Sequence, residues 1–194
     1  MGAHMNNKEI ILKAYELMNE SIIEGDCGKL CNYHCCRNTN ESGEDMGIYL
    51  LPLEYELILR NTEFSKKLVV ETHSCDDYYI NPTLGSLYYM VCNLEKECMR
   101  DLRPIQCRTY PFEPMVINNQ LKLVVQKEQD HKCPLISKKD TWRKAFIKGI
   151  YLGWEELLKI SEIKAHIEYD SKLIIEEKNY QFILDKKDIF DTNK

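Results

Sequence analysis

The sequence has no apolar run approaching the roughly eighteen residues that a bilayer-spanning helix needs, so no membrane-spanning helix is expected. It has no excess of positive charge either. Against 31 Asp and Glu stand 26 Lys and Arg, a balance of −5, and the basic footprint of a general nucleic-acid binder is missing. Neither Gly-x-Gly-x-x-Gly nor Gly-x4-Gly-Lys-Ser/Thr occurs, which removes a dinucleotide fingerprint and a P-loop. The Cys-x3-Cys-x2-Cys loop of radical S-adenosylmethionine enzymes is absent, and so is their β/α alternation. No internal repeat or low-complexity segment is present.

What remains is a chain of 194 residues, 44% hydrophobic and 29% charged, which fits one folded domain with at most a helical appendage. Its unusual feature is 9 cysteines, an odd number that leaves at least one thiol outside any fully paired disulfide framework. Met1-Gly2-Ala3-His4 has the look of a remnant of tag cleavage, so the chain proper is taken to begin near Met5. Asn6-Asn7-Lys8-Glu9 follows, with no basic stretch leading into an apolar core. The expectation is a cytoplasmic protein, where clustered thiols are more often metal ligands or catalysts than disulfides.

Periodicity predicts an amphipathic helix from Lys8 to Ile23, ending near Gly25, and a short helix from Pro52 to Arg60. Arg37 to Gly47 reads as a polar surface loop. Residues 67–72 and 86–91 are rich in β-branched and aromatic side chains and read as strands. Met115–Ile117 and Leu121–Val125 flank Asn118-Asn119, a dipeptide that tolerates positive φ, and predict a hairpin. Beyond Asp140, an N-cap candidate, Trp142, Phe146, Ile150, Gly153, Leu157 and Ile160 predict one long amphipathic helix. The apolar runs at Ile174-Ile175 and Phe182–Leu184 predict a helical tail. The expected fold is α+β, a small single domain with helices around a small antiparallel sheet and cysteine-rich loops forming a metal site. Residues 5–165 would form that domain and 166–194 a C-terminal helical extension.

Four thiols, Cys27, Cys31, Cys35 and Cys36, fall within ten residues. Thiolates repel, and four at close range stay deprotonated only beside a neutralising cation, as zinc or an iron–sulfur cluster provides. The adjacent pair Cys35-Cys36 does not resemble a zinc knuckle. It can send its sulfurs to different faces. Cys92, Cys98, Cys107 and Cys133 form a second set, while Cys75 stands apart and reads as a small buried hydrophobe. His34, His73 and His131 are available as substitute ligands, each read first as a solvated or hydrogen-bonded histidine. Cys107 sits on a stretch stiffened by Pro104 and Pro111 and flanked by Arg103 and Arg108. A guanidinium there can ease the charge of a thiolate, clamp an anionic substrate, or simply pair with Asp101 or Glu113 at the surface. Glu54, Asp76 and Asp77 read as solvated helix-start and turn residues.

The cysteine run, Leu51-Pro52-Leu53-Glu54 and Cys92…Cys98 come first. Arg103-Pro104-x2-Cys107-Arg108-x-Tyr110-Pro111-Phe112 and Cys133-Pro134 follow in that order. Together they resemble the YkgJ-type cysteine-cluster family. That family is described as a zinc- or iron-chelating domain and includes the flagellin lysine N-methylases. The similarity spans Cys27 to Pro134. It implies Cys27, Cys31, Cys35, Cys36, Cys92, Cys98, Cys107 and Cys133 as cluster positions; Arg103, Arg108 and Tyr110, on the stretch around Cys107, are taken as the binding residues. Both gaps in the first run are three residues where many members have two, which is closer to the methylase branch, although the methylases are considerably longer. That branch implies an iron–sulfur centre and methyl transfer from S-adenosylmethionine to a protein or peptide lysine. Three readings stand at this point: an iron–sulfur protein that modifies a protein or peptide, a zinc-stabilised binding module without chemistry of its own, and a protein that stores or transfers metal.

Overall fold

Asn6 opens the first helix with a capping box. Its side chain accepts the Glu9 amide at 3.0 Å, and its own amide donates to the Glu9 carboxylate at 2.8 Å. Helix α1 (Asn7–Leu17) buries Ile10, Ile11, Ala14 and Tyr15 along one face. In the computed structural model, which describes residues 5–36, 43, 47–63, 65–92, 100, 103–127 and 133–191, this helix is shorter than its periodicity predicts. A distant arginine accounts for the early stop. Arg100 donates from Nε to the Asn19 carbonyl at 2.6 Å and from Nη2 to the Met18 carbonyl at 3.0 Å, and also reaches the Glu20 carbonyl. These carbonyls point at a guanidinium instead of continuing an intrahelical ladder. Ile22 is still buried, but from an irregular segment.

Two three-stranded antiparallel sheets follow. The first has the order β1-β3-β2, with β1 at Ile48–Tyr49, β2 at Leu68–Ser74 and β3 at Ser86–Cys92. Between β1 and β2 the expected helix over Pro52–Arg60 is instead a π-helical turn, Tyr55–Leu59, closed by Arg60 N–H to the Tyr55 carbonyl at 2.8 Å. A short helix α2 (Ile105–Thr109) leads into the second sheet, ordered β4-β5-β6 with β6 at Phe182–Leu184. Its β4 (Glu113–Ile117) and β5 (Gln120–Val125) form the predicted hairpin. Asn118 and Asn119 both hold left-handed backbone, φ 50° and 61°, as a two-residue hairpin turn matched to strand twist requires.

The C-terminal part differs from the sequence expectation. Lys139–Thr141 is a 3₁₀ turn, so Asp140 caps no helix; α3 spans Lys144–Leu157 and α4 spans Ser161–Glu176. The break between α3 and α4 leaves Ile160, in extended backbone, 1% exposed. Phe182–Leu184 is strand β6, not helix, because β5 offers it an open edge: Leu123 faces Leu184 and Val124 faces Ile183. A last helix, α5, covers Lys186–Phe190.

The main core lies between α1, α3 and β5, with Phe112, Phe146, Ile150, Trp154, Leu157 and Ile163 almost inaccessible. Helices α1 and α3 approach closely because α3 presents glycine there. A Cβ on Gly149 would collide with the Leu17 carbonyl, and one on Gly153 with the Met18 side chain. The architecture is α+β. No helix among the described residues is long and apolar enough to cross a membrane.

Candidate metal centre

The first cysteine segment is a pair of tight turns. Asp26 opens the 3₁₀ turn Cys27–Leu30, accepting the Gly28 amide at 3.0 Å and the Tyr33 hydroxyl at 2.6 Å. Tyr33 folds back over Gly28, where a Cβ would enter its ring, and Asn32 and Tyr33 both take left-handed backbone. Burial pushes the Asp26 carboxyl up, but the Tyr33 hydroxyl, the Gly28 amide and Arg103 together hold it below its ordinary value. A second 3₁₀ turn, His34–Cys36, follows, with His34 and Cys35 exposed.

The other side of the site arrives from about a hundred residues along the chain. Cys133 begins the turn Cys133-Pro134-Leu135-Ile136, whose geometry aims the Leu135 and Ile136 amides at its sulfur. Burial raises the Cys133 thiol, those amides oppose the rise, and Cys31 adds to it. Burial likewise raises the Cys27 thiol. Arg103 opposes that shift, and Asp26, Cys133 and Cys31 reinforce it. Tyr110, at the end of α2, stands in the same neighbourhood. Its hydroxyl is pushed well above the usual phenol value by burial and then by Cys133, Cys35, Glu113 and Cys31. Cys27, Cys31, Cys35 and Cys133 thus lie within electrostatic reach of one another or of a common tyrosine. Arg103 and Arg100 are cations within reach of Cys27. Cys27, Cys31 and Cys133 carry no disulfide.

The remaining predicted residues divide. Cys107 is half-buried on α2, beside Tyr15. Cys75 is not a buried hydrophobe but a half-exposed residue on the turn after β2. Asp76 and Asp77 are exposed on that turn, as expected. His73 is a hydrogen-bonded histidine, 3.0 Å from the Tyr49 hydroxyl and 3.3 Å from the Glu71 carboxylate. Cys98, Asp101 and His131, the side chains of Cys36 and Cys92, and most of the loop from Arg37 to Gly47 lie outside the described residues.

Glu54 corrects the sequence reading, and Arg108 removes one of its alternatives, the surface pair. Glu54 is fully buried, not solvated, and accepts three hydrogen bonds: from the Tyr15 hydroxyl at 2.6 Å and from the amides of Ile105 at 2.8 Å and Leu51 at 3.1 Å. Burial raises its carboxyl, against the pull of the Tyr15 hydroxyl, the two amides and Arg108. Arg108 is 2% exposed and no surface arginine. It donates from Nε to the Arg103 carbonyl at 2.7 Å and from Nη1 to the Asn19 side chain at 3.2 Å, with its guanidinium 4.4 Å from the centre of the Tyr15 ring. The Ile105 amide is at the first position of α2, so Glu54 fixes the start of the helix that carries Cys107 and leads to Tyr110. Nothing local to Leu51-Pro52-Leu53-Glu54 marks that burial, because all but one of its partners come from other parts of the chain.

No three His, Cys, Asp or Glu side chains among the described residues stand together as a ready-made metal-holding group. The donor chemistry nevertheless suits a soft or borderline cation. Cys27 and Cys133 are partly buried, Cys31 lies close enough to raise the proton affinity of both, and backbone amides are aimed at the Cys133 sulfur. Comparison with known proteins finds no matching family model, no matching curated protein and no matching solved structure.

Proposed function

We propose that this protein is a cysteine-cluster metal-binding protein, with an iron–sulfur cluster as the preferred occupant and zinc as the alternative. Cys27, Cys31, Cys35 and Cys133 are the central ligand candidates, with Cys36, Cys92, Cys98 and Cys107 completing the set implied by resemblance to the YkgJ-type family. The observation that carries this reading is that Cys27 and Cys31 come within electrostatic reach of Cys133, which lies about a hundred residues further along the chain. Clustered thiols that hinder one another's ionisation are an electrostatic liability unless a cation neutralises them. Arg103 supplies part of that positive charge, and the amides at Cys133 favour its thiolate. Zinc bound here would supply a structural cross-link, and an iron–sulfur cluster would supply a one-electron centre.

Two further proposals rest on the family resemblance alone: methyl transfer from S-adenosylmethionine, and a protein or peptide as the substrate. No residue is assigned a catalytic role. The direct test is titration of the thiol-reduced chain with Co(II), read by thiolate-to-metal charge-transfer absorption in the near ultraviolet. The bands are expected in the native protein and reduced in Cys27→Ser and in Cys133→Ser. A native chain that binds no Co(II), or serine variants with undiminished bands, would overturn the assignment.

A further inference from the structure

The outward face of the first sheet carries a second feature, independent of the cysteines. By register, Val69, Glu71 and His73 of β2 share a face with their cross-strand partners Val91, Tyr89 and Leu87, and Tyr49 of β1 lies opposite Tyr89. An antiparallel sheet with one face toward water ordinarily alternates polar residues outward. Among these seven, Glu71 is the one charged residue; Val69 is 48% exposed, while His73 and Leu87 are buried beneath their neighbours.

The aromatic groups on this face are held rigidly. The His73 imidazole lies between two phenol rings, Tyr78 at 3.9 Å and 7° on one side and Tyr89 at 4.7 Å and 14° on the other. Tyr49 packs edge-on against both His73 and Tyr89, and its hydroxyl bonds the His73 ring at 3.0 Å. This stack holds Tyr78 in place, and Tyr79 is the next residue along the chain. Tyr78 is 45% exposed and Tyr79 93% exposed. Rigid tyrosines lose little entropy on binding and are favoured contact residues at interfaces. The carboxylates beside them are Glu71, whose side chain is 59% exposed, and the exposed Asp76 and Asp77.

We infer that this tyrosine platform docks a cationic peptide segment of a protein partner, with arginine or lysine side chains lying over Tyr78 and Tyr79 and paired with Glu71, Asp76 and Asp77. The chemistry agrees: phenol faces attract a guanidinium or ammonium group, the Glu71 carboxylate stands 3.3 Å from the His73 ring on which Tyr78 stacks, and Asp76 and Asp77 are exposed immediately before Tyr78 in the chain. Neither metal content nor thiol chemistry enters this assignment.

The test is fluorescence anisotropy of a labelled peptide of alternating arginine and glycine, with a glutamate–glycine peptide as the control, at near-physiological salt. Tyr79→Ala leaves the net charge unchanged, and its exposure makes it safe for folding, which a circular-dichroism melt verifies. Binding of the basic peptide alone is expected, weakened about fivefold or more by Tyr79→Ala, as loss of a cation–π contact implies. Glu71→Gln weakens it by a smaller factor. No binding by the native chain would overturn the inference, as would equal binding of the acidic peptide or an affinity within twofold in Tyr79→Ala. Sedimentation of the native chain as a dimer that Tyr79→Ala dissociates would also overturn it, by making a second copy the occupant.

Discussion

The Tyr15 hydroxyl donates a 2.6 Å hydrogen bond to Oε1 of Glu54, and both groups are buried in the middle of the fold. The same oxygen accepts the Ile105 amide at 2.8 Å, so one carboxylate joins α1, the segment after β1 and the start of α2. This polar tie joins the amphipathic core to the stretch bearing Arg103, Cys107 and Tyr110.

Removing the hydroxyl leaves a buried acceptor short of a partner. Tyr15→Phe is expected to cost about 1–3 kcal/mol, the usual penalty for an unsatisfied buried group. Glu54→Leu strands two amides and a hydroxyl and should cost more, while Glu54→Gln retains an acceptor and should fall between native and Glu54→Leu. Urea unfolding monitored by Trp fluorescence checks the order. Native-like stability in Glu54→Leu would contradict the network's role.

His166 and Asp170 face one another one turn apart on α4, with Nε2 and Oδ2 3.4 Å apart. Burial pushes the imidazole down to about 4, and burial together with Glu113 pushes the carboxyl up to about 7. The folded pair therefore holds one proton between about 4 and about 7, while the unfolded chain holds one between 3.8 and 6.5. These two windows nearly coincide, so the intact pair adds little pH dependence to stability. Splitting it reveals two opposite slopes. In Asp170→Asn, the unfolded chain takes up a proton that buried His166 refuses, so stability is full above 6.5 and falls as pH drops toward about 4. In His166→Leu, folded Asp170 keeps a proton that the unfolded chain releases, so stability is fullest below 3.8 and falls as pH rises toward about 7. Urea midpoints across this range should tilt in opposite directions for the two variants, and parallel profiles would contradict the account.

Gly149 lets α3 pass against the end of α1. Alanine normally stabilises a helix interior by about 1 kcal/mol relative to glycine. Here its methyl group would meet the Leu17 carbonyl, which is backbone and cannot rotate aside. Gly149→Ala is therefore expected to destabilise by about 1–3 kcal/mol, the range for overpacking. A raised thermal midpoint would show that α1 can retreat without loss.

Several of these elements were legible from local pattern. The β4–β5 hairpin follows from β-branched runs around Asn118-Asn119, and β2 and β3 from their composition, because register and turn chemistry are short-range. The misread elements depend on distant partners. Helix α1 stops early because Arg100, some eighty residues later, takes its terminal carbonyls. Phe182–Leu184 becomes a strand because β5 has an open edge, and an apolar triplet by itself favours neither state. Glu54 read as solvated because its ligands include Tyr15 and Ile105, which no window around Pro52 contains. The cysteine spacing grouped Cys27 with Cys31 but set Cys133 in a separate run, because nothing local links residues about a hundred positions apart, and the place of Tyr33 and Asp26 beside Cys27 carried no recognisable signal.

The central claim is that the clustered thiols serve a metal. Iron, zinc and acid-labile sulfide, measured per chain on protein purified without oxygen, test it most directly, alongside a Cys27→Ser, Cys133→Ser double variant. The account predicts iron with matching sulfide, or zinc at about one or two per chain, in the native protein and a clear loss in the variant. Metal-free native protein with its cysteines fully reactive toward a thiol reagent, or a variant with unchanged metal, would contradict it.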